Sequence, residues 1–578
     1  MRENNVVSTN SDYSDFSLNR WLAQFSASVP GGAASSPHPQ PADFNALFQS
    51  LSIKLDPEKI AALQSDYIQQ FTKLWQDMMA SRQPFLNDRR LSAPAWSASP
   101  LSAFQAAAYQ LNAAFLEATA DAVEAPEKIR QRIRFSVRQL IDAMSPANFL
   151  ATNPEAQQKI IETHGQSLTQ GLAQMVADLE KGHISLTDET AFEVGKDVAA
   201  TPGAVVFENA LCQLIQYAPL TEKVFEKPLL IVPPCINKFY ILDLQPQNSL
   251  VRYALEQGHQ VFLISWRNAD VAVQNATWDD YAQDAVIGAL HAVQDIAGQP
   301  QINALGFCVG GTLLSCALAV LYARGEKPLA SLTLLTSFLD FSDTGAIEVY
   351  IDEMQVAMRE GAIGGGGLMA GRDFAAAFSS LRPNDLMWNY VESNYLKGVA
   401  PPALDLLYWN ADSTNLPGPM FCYYLRHMYL ENALKDPGRL QIGGTPVDLR
   451  RIDAPAFIFA SREDHIVPWA TAYASTRLLN QNKPAANQFV LGASGHIAGV
   501  INSPVKNRRS YWTNTARNVD ADEWLQGAAE HPGSWWPAWT NFLGNHAGRL
   551  AAPPRQPGAQ AYPPIEAAPG RYVMVKAG

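Results

Sequence analysis

The stretch Ile302-Asn303-Ala304-Leu305-Gly306-Phe307-Cys308-Val309-Gly310-Gly311, continued by Thr312 to Ala323, decides the fold. An apolar run suited to a buried strand ends in small residues around one cysteine, and a helix-like segment starts at once. Strand, sharp turn and helix in that order form the context of a nucleophile elbow. The glycines permit the strained turn that pushes the Cys308 side chain clear of the backbone. Such elbows usually carry serine. A thiol here points to thioester chemistry and acyl transfer rather than ordinary ester hydrolysis.

A thiol nucleophile needs a base to form thiolate and a third group to orient that base. In sheets of this type the chain order is nucleophile, acid, histidine. Downstream of Cys308, Ser461-Arg462-Glu463-Asp464-His465 follows the strand-like run Phe457-Ile458-Phe459, and Ser494-Gly495-His496-Ile497 follows Phe489-Val490-Leu491. Asp464 and His496 thus fall just beyond strand C-termini, where open α/β sheets place their ligands. Taken singly, each has a plainer reading: Asp464 as a turn cap, His496 as a packed ring. His465 is a rival base, although an acid and its own base are rarely neighbours in sequence. Cys235 and Cys316 read as small core residues. For an oxyanion, one donor is expected from the backbone N–H of Val309 and a second from the loop Val232-Pro233-Pro234-Cys235-Ile236-Asn237. Ile236 is the candidate there, because neither proline can donate; the same residues also read as a rigid turn closing the strand.

Further out, apolar runs Leu229 to Val232, Val261 to Ile264, Ile302 to Leu305, Leu332 to Leu335, Phe457 to Phe459 and Phe489 to Leu491 alternate with helical patterns. Alternation of this kind predicts an α/β domain, residues 201–578, built on a mostly parallel sheet covered by helices. An insertion at about 340–452 breaks the rhythm. It holds Gly364-Gly365-Gly366-Gly367 and many aromatics, among them Trp388, Trp409, Tyr424 and Tyr429, and is expected to act as a lid. Upstream, Asp56-Pro57 suits a helix start, and Ile60, Leu63, Tyr67, Phe71, Leu74 and Met78 form one apolar stripe. Residues 56–200 read as an α-helical domain whose stripes pack on themselves or dock another protein. Residues 1–55, with Gly31-Gly32 and Pro39-Gln40-Pro41, read as a mobile arm, and the tail from about 551 as extended.

The chain has 578 residues, 47% apolar and 17% charged, enough for two domains with a large interior. A net charge of −12 argues against a nucleic-acid surface. Five scattered cysteines without Cys-x-x-Cys pairs or metal spacing suggest a reduced, cytoplasmic protein with no metal, and no cofactor is expected beyond the coenzyme A that belongs to the substrate. The polar stretch Met1 to Asp15 lacks the apolar segment of a secretory signal. No stretch approaches the ~20 apolar residues of a transmembrane helix. The choice of cysteine adds a chemical constraint: thiolate attack on an acyl thioester exchanges one thioester for another at little cost, leaving the acyl group activated for a hydroxyl. That fits an acyltransferase using a coenzyme A thioester and an alcohol acceptor; a thioesterase or polyester hydrolase is the alternative.

Pro233 to Leu244, Gly306 to Gly311, Ser461 to Trp469 and Gly495 to Val500 resemble the polyhydroxyalkanoate synthases. Trp409-Asn410-Ala411-Asp412, Leu416 to Pro419 and Gly533 to Pro537 add to the likeness, which spans about residues 100–575 and is most similar to the class I enzymes. The resemblance implies an α/β-hydrolase fold and polymerisation of (R)-3-hydroxyacyl-CoA into polyester with release of coenzyme A. It implies that Cys308 carries the acyl chain, that His496 deprotonates the thiol or the incoming hydroxyl, and that Asp464 orients His496 or helps activate the hydroxyl. It further implies a homodimer bound at the surface of a polyester granule, with granule-associated proteins as further partners. Three residues are candidates for substrate binding. Trp409 either lines the acyl pocket or packs within the lid, Arg382 meets a coenzyme A phosphate or a surface carboxylate, and Asp243 lies in the Pro233 to Leu244 motif.

Overall fold

The structure is a computed structural model that describes residues 54–516 and 519–577. Most of the arm expected over residues 1–55 lies outside that range; its last two residues, Lys54–Leu55, pair antiparallel with Val123–Glu124. Asp56 then caps α1 (Pro57–Met79), accepting the Glu58 N–H at 3.0 Å. The apolar stripe of α1 lies on α2 (Pro100–Asp121), where Tyr67 meets Phe115 and Phe71 and Trp75 meet Phe104. Helices α3 (Glu127–Ala143) and α4 (Gln166–Lys181) complete the main helical series.

From Gly203 onward the chain builds one eleven-stranded sheet. Its strands in chain order are β1 (Gly203–Glu208), β2 (Cys212–Tyr217), β3 (Leu229–Val232), β4 (Val261–Trp266), β5 (Ile302–Phe307), β6 (Leu329–Leu335), β7 (Ala456–Ser461), β8 (Gln488–Gly492), β9 (Ser510–Thr513), β10 (Ala529–Pro532) and β11 (Glu566–Ala567). Their order across the sheet is β10-β9-β8-β7-β6-β5-β3-β4-β2-β1-β11. The six runs read from the sequence are the parallel centre, β3 to β8. The remaining strands add antiparallel edges on both sides.

Both faces of the centre are apolar because both are covered. In β3, Leu230 and Val232 enter one core and Leu229 and Ile231 the other. Helix α5 (Val309–Ala323) fills the first core and is buried at every residue from Val309 to Tyr322. Beyond β8 come, among others, the short α6 (His496–Val500) and α7 (Trp536–Gly544). Trp536, Trp539 and Phe542 of α7 pack into the second core together with Trp535. The expected extended tail is instead tied down: β11 pairs with β1, and Lys238 donates to the Val575 carbonyl.

The insertion between β6 and β7 is mostly helical and contains four stretches of i→i+5 winding, Glu360–Gly364, Asn384–Trp388, Val391–Leu396 and Tyr424–Leu430. The amino-terminal helices rest on this insertion. Tyr395 donates to the buried Asp178 of α4 at 2.7 Å, Asn384 to Asp142 at 2.6 Å, Arg132 to the Val349 carbonyl at 3.0 Å, and Lys397 pairs with Glu155 at 2.9 Å.

Candidate active site

Strand β5 ends in the core and α5 begins one residue later, so the residue between them must turn within a single step. Cys308 does so at φ 54° and ψ −129°, a conformation rare for any residue but glycine. Its N–H is held by the Leu335 carbonyl of β6 at 2.9 Å, and its own carbonyl accepts the Gly311 N–H at 2.9 Å. The surrounding glycines are required by close approach. A Cβ at Gly306 would lie 2.3 Å from the Gly311 Cα, one at Gly310 would lie 2.3 Å from the Val232 carbonyl oxygen, and one at Gly311 would strike Ser337 at 2.1 Å. These contacts press the start of α5 against the ends of β3 and β6. Four of the five cysteines are buried; Cys308 is the one that is partly exposed.

Asp464 sits three residues beyond β7, with its side chain fully shielded from solvent. Its Oδ1 accepts the backbone N–H groups of Ile466 and Val467, both at 2.9 Å, which fixes the carboxylate. Its Oδ2 lies 2.7 Å from Nδ1 of His496, the first residue of α6. Phe307 stacks on the His496 ring with centroids 5.8 Å apart. Burial disfavours the imidazolium, but the Asp464 carboxylate and the ionised form of the Cys308 sulfur outweigh it and hold the pKa up at about 10. His496 thus bonds Asp464 directly and feels the Cys308 sulfur. His465 does not share this geometry: burial, then the charge of Arg382, lowers its pKa to about 4, and its Nδ1 has no partner.

The two amides expected to serve an oxyanion, those of Val309 and Ile236, have no acceptor among the described residues. Gly310 packs on the carbonyls of Val232 and Pro233, so the Pro233 loop and the first turn of α5 adjoin. Trp266 steadies that loop by donating from Nε1 to the Pro233 carbonyl at 2.9 Å.

The three substrate-binding candidates are placed differently. Arg382 lies over the loops that carry Asp464 and His496: its guanidinium donates to the Glu463 carbonyl at 3.3 Å and stands 3.8 Å from Asp385. Trp409 is 4% exposed and donates from Nε1 to the Lys238 carbonyl at 2.7 Å, a strut between the insertion and the Pro233 loop. Asp243 is buried, its Oδ1 accepting from Thr201 and Ser249, each at 2.6 Å. Burial raises its pKa against those two bonds.

Two residues that the sequence placed only among the aromatics of the insertion stand together near Cys308. Tyr424 and Tyr429 lie with ring centroids 5.1 Å apart and nearly perpendicular, packed with Phe338 and Phe341. Burial raises both hydroxyl pKa values; the nearby Cys308 adds to the effect on each. The Phe338 carbonyl accepts from Thr312 of α5 at 2.8 Å, which joins this aromatic wall to the elbow. Their spacing of five residues would put them on different faces of an ordinary α-helix; the i→i+5 winding brings them together.

Comparison with known proteins agrees with the fold. The family model described as "Poly-beta-hydroxybutyrate polymerase (PhaC) N-terminus" matches residues 87–254, and that of the alpha/beta hydrolase fold matches residues 228–502. The chain is 57% identical over 533 residues to the "Poly(3-hydroxyalkanoate) polymerase subunit PhaC" of Cupriavidus necator, covering 91% of this chain and 90% of that one. It is 40% identical to the "Poly(3-hydroxyalkanoate) polymerase" of Methylorubrum extorquens, over 90% of this chain and 88% of the other.

Proposed function

The chain belongs to the poly(3-hydroxyalkanoate) polymerase family, enzymes of the acyltransferase type on an α/β-hydrolase fold, and on that premise we propose how it works. It polymerises (R)-3-hydroxyacyl-CoA through an acyl-enzyme on Cys308. The thiolate, formed by transfer of the thiol proton to His496, attacks the thioester carbonyl. The oxyanion of the tetrahedral intermediate is met by the N–H groups of Val309 and Ile236. The intermediate collapses with cleavage of the bond to coenzyme A, whose sulfur leaves with the proton held by His496. His496 then removes the proton of an incoming 3-hydroxyl, which attacks the Cys308 acyl group; the ester forms and the thiol is restored. Asp464 keeps the Nδ1 proton in place and offsets the positive charge of the ring. The aromatic wall of Phe338, Phe341, Tyr424 and Tyr429 keeps water from competing with the hydroxyl.

What supports this reading above all is the buried 2.7 Å contact of Asp464 with a histidine whose pKa the ionised Cys308 sulfur raises, together with a cysteine held on a strained elbow. Arg382, at the rim of the same loops, is assigned to the phosphates of coenzyme A. The wider expectations are part of the proposal: a cytoplasmic homodimer at the surface of a polyester granule, in contact with granule-associated proteins. No helix among the described residues is long and apolar enough to cross a membrane. The test is incubation of purified protein with (R)-3-hydroxybutyryl-CoA, following free thiol and product length. Coenzyme A release with polyester, both lost in Cys308→Ala, is expected. Monomeric hydroxy acid as the sole product would make the protein a thioesterase instead.

A further inference from the structure

Ile236 is flanked by two residues that one hydroxyl holds. Thr414, in the insertion and 3% exposed, donates from Oγ1 to the Cys235 carbonyl at 2.9 Å; the same oxygen accepts the Asn237 N–H at 2.8 Å. The Cys235 carbonyl and the Ile236 N–H belong to one peptide unit. That unit is planar and trans, so its carbonyl and N–H point in opposite directions. Drawing the carbonyl toward Thr414 therefore turns the Ile236 N–H away from Thr414, where it finds no protein acceptor. The second bond fixes the next peptide, across Asn237 at φ 61°. Without a partner for both groups the loop would lose the bonds that hold this unusual backbone. Neighbouring contacts act on the same loop: Trp409 binds the Lys238 carbonyl, and Asn237 Nδ2 donates to the Asn410 carbonyl at 3.3 Å.

We propose that Thr414 is a positioning residue of the oxyanion hole: its hydroxyl aims the Ile236 N–H, so the hole is complete only with the 409–414 segment of the insertion seated on the Pro233 loop. The inference rests on the reading of Ile236 as an oxyanion donor. It assigns the insertion a part in the chemical step, beyond covering the site. Thr414 touches no reacting atom and acts through the peptide it orients.

Thr414→Val keeps the shape and removes both bonds; Thr414→Ser keeps the hydroxyl. In single-turnover reaction with (R)-3-hydroxybutyryl-CoA, Thr414→Val is expected to slow coenzyme A release about 10- to 100-fold. Its KM should stay near wild type, and Thr414→Ser should recover most of the rate. Alkylation of Cys308 by iodoacetamide forms no oxyanion, so its rate should be unchanged in both variants; the other four cysteines are buried. Acyl transfer at the wild-type rate in Thr414→Val, equal impairment of Thr414→Ser, or alkylation falling in step with acylation would overturn the proposal. Should Thr414→Val not fold, Thr414→Ala is read by the same criteria. Cys308→Ala, run in parallel, separates the two readings. Continued coenzyme A release there removes the active-site assignment and this inference with it, whereas a silent Cys308→Ala beside a fully active Thr414→Val removes only the role of Thr414.

Discussion

Cys308 combines a backbone that costs energy with a side chain whose reactivity depends on ionisation. Cys308→Ser should fold and yet lose at least about 100-fold in polymerisation rate, because an alcohol is far harder to ionise than a thiol; turnover near wild type would refute the role of thiolate. His496→Ala should lower the rate by about 10²- to 10⁴-fold, and more than His465→Ala. The two histidines also pull stability in opposite directions. For His496, raised from 6.5 to about 10, the folded state holds the proton more tightly, so its contribution is full below pH 6.5 and is lost as pH climbs toward 10. For His465, lowered from 6.5 to about 4, the contribution is full above pH 6.5 and is lost as pH falls toward 4. Urea unfolding across pH should show His496→Gln flattening the alkaline limb and His465→Gln the acid limb; the reverse pattern would contradict the assignment. Val309 and Ile236 could be put forward as donors from sequence because the proposed role follows from position, one just after Cys308 and one after an early strand. Thr414 could not, since its hydroxyl bonds to main-chain atoms more than 170 residues away.

At the scale of elements, glycine records where two elements touch. In α4, a Cβ at Gly171 would lie 2.0 Å from the Tyr395 carbonyl oxygen in the insertion. Glycine to alanine inside a helix normally stabilises by up to about 1 kcal/mol. Here Gly171→Ala should instead destabilise by about 1–3 kcal/mol through overpacking, measured by denaturant unfolding; a gain in stability would show that α4 and the insertion are not so closely pressed. The six parallel strands were legible because each is a short apolar run buried on both faces. The edge strands were not. β9 is only partly buried and β10 reads Ala-Glu-His-Pro, so neither carries a period that distinguishes it from loop. The helical stripes were legible as well, although α1 buries none of its residues completely.

Across the whole molecule, the carboxy-terminal tail returns to the opposite edge of the sheet from β10. It pairs β11 with β1, binds Glu208 through Arg571, and reaches Lys238 on the loop that Trp409 holds. Removing residues 551–578 should uncover the β1 edge, lower the thermal midpoint and reduce acyl transfer while Cys308 remains in place; an unchanged midpoint would mean that the tail is only draped over the surface. Composition suggested an extended tail because Ala, Pro and Gly carry little apolar pattern, yet backbone pairing needs none. By itself the sequence determined the parallel centre, the elbow and the order of Cys308, Asp464 and His496, because apolar runs and small-residue turns are local signals of burial and backbone strain. Only the tertiary structure decided which face the insertion presents, that Tyr424 and Tyr429 stand together, and that Thr414 holds the loop of Ile236. Those outcomes depend on hydrogen bonds and packing between distant segments, and such contacts leave no periodicity in the chain.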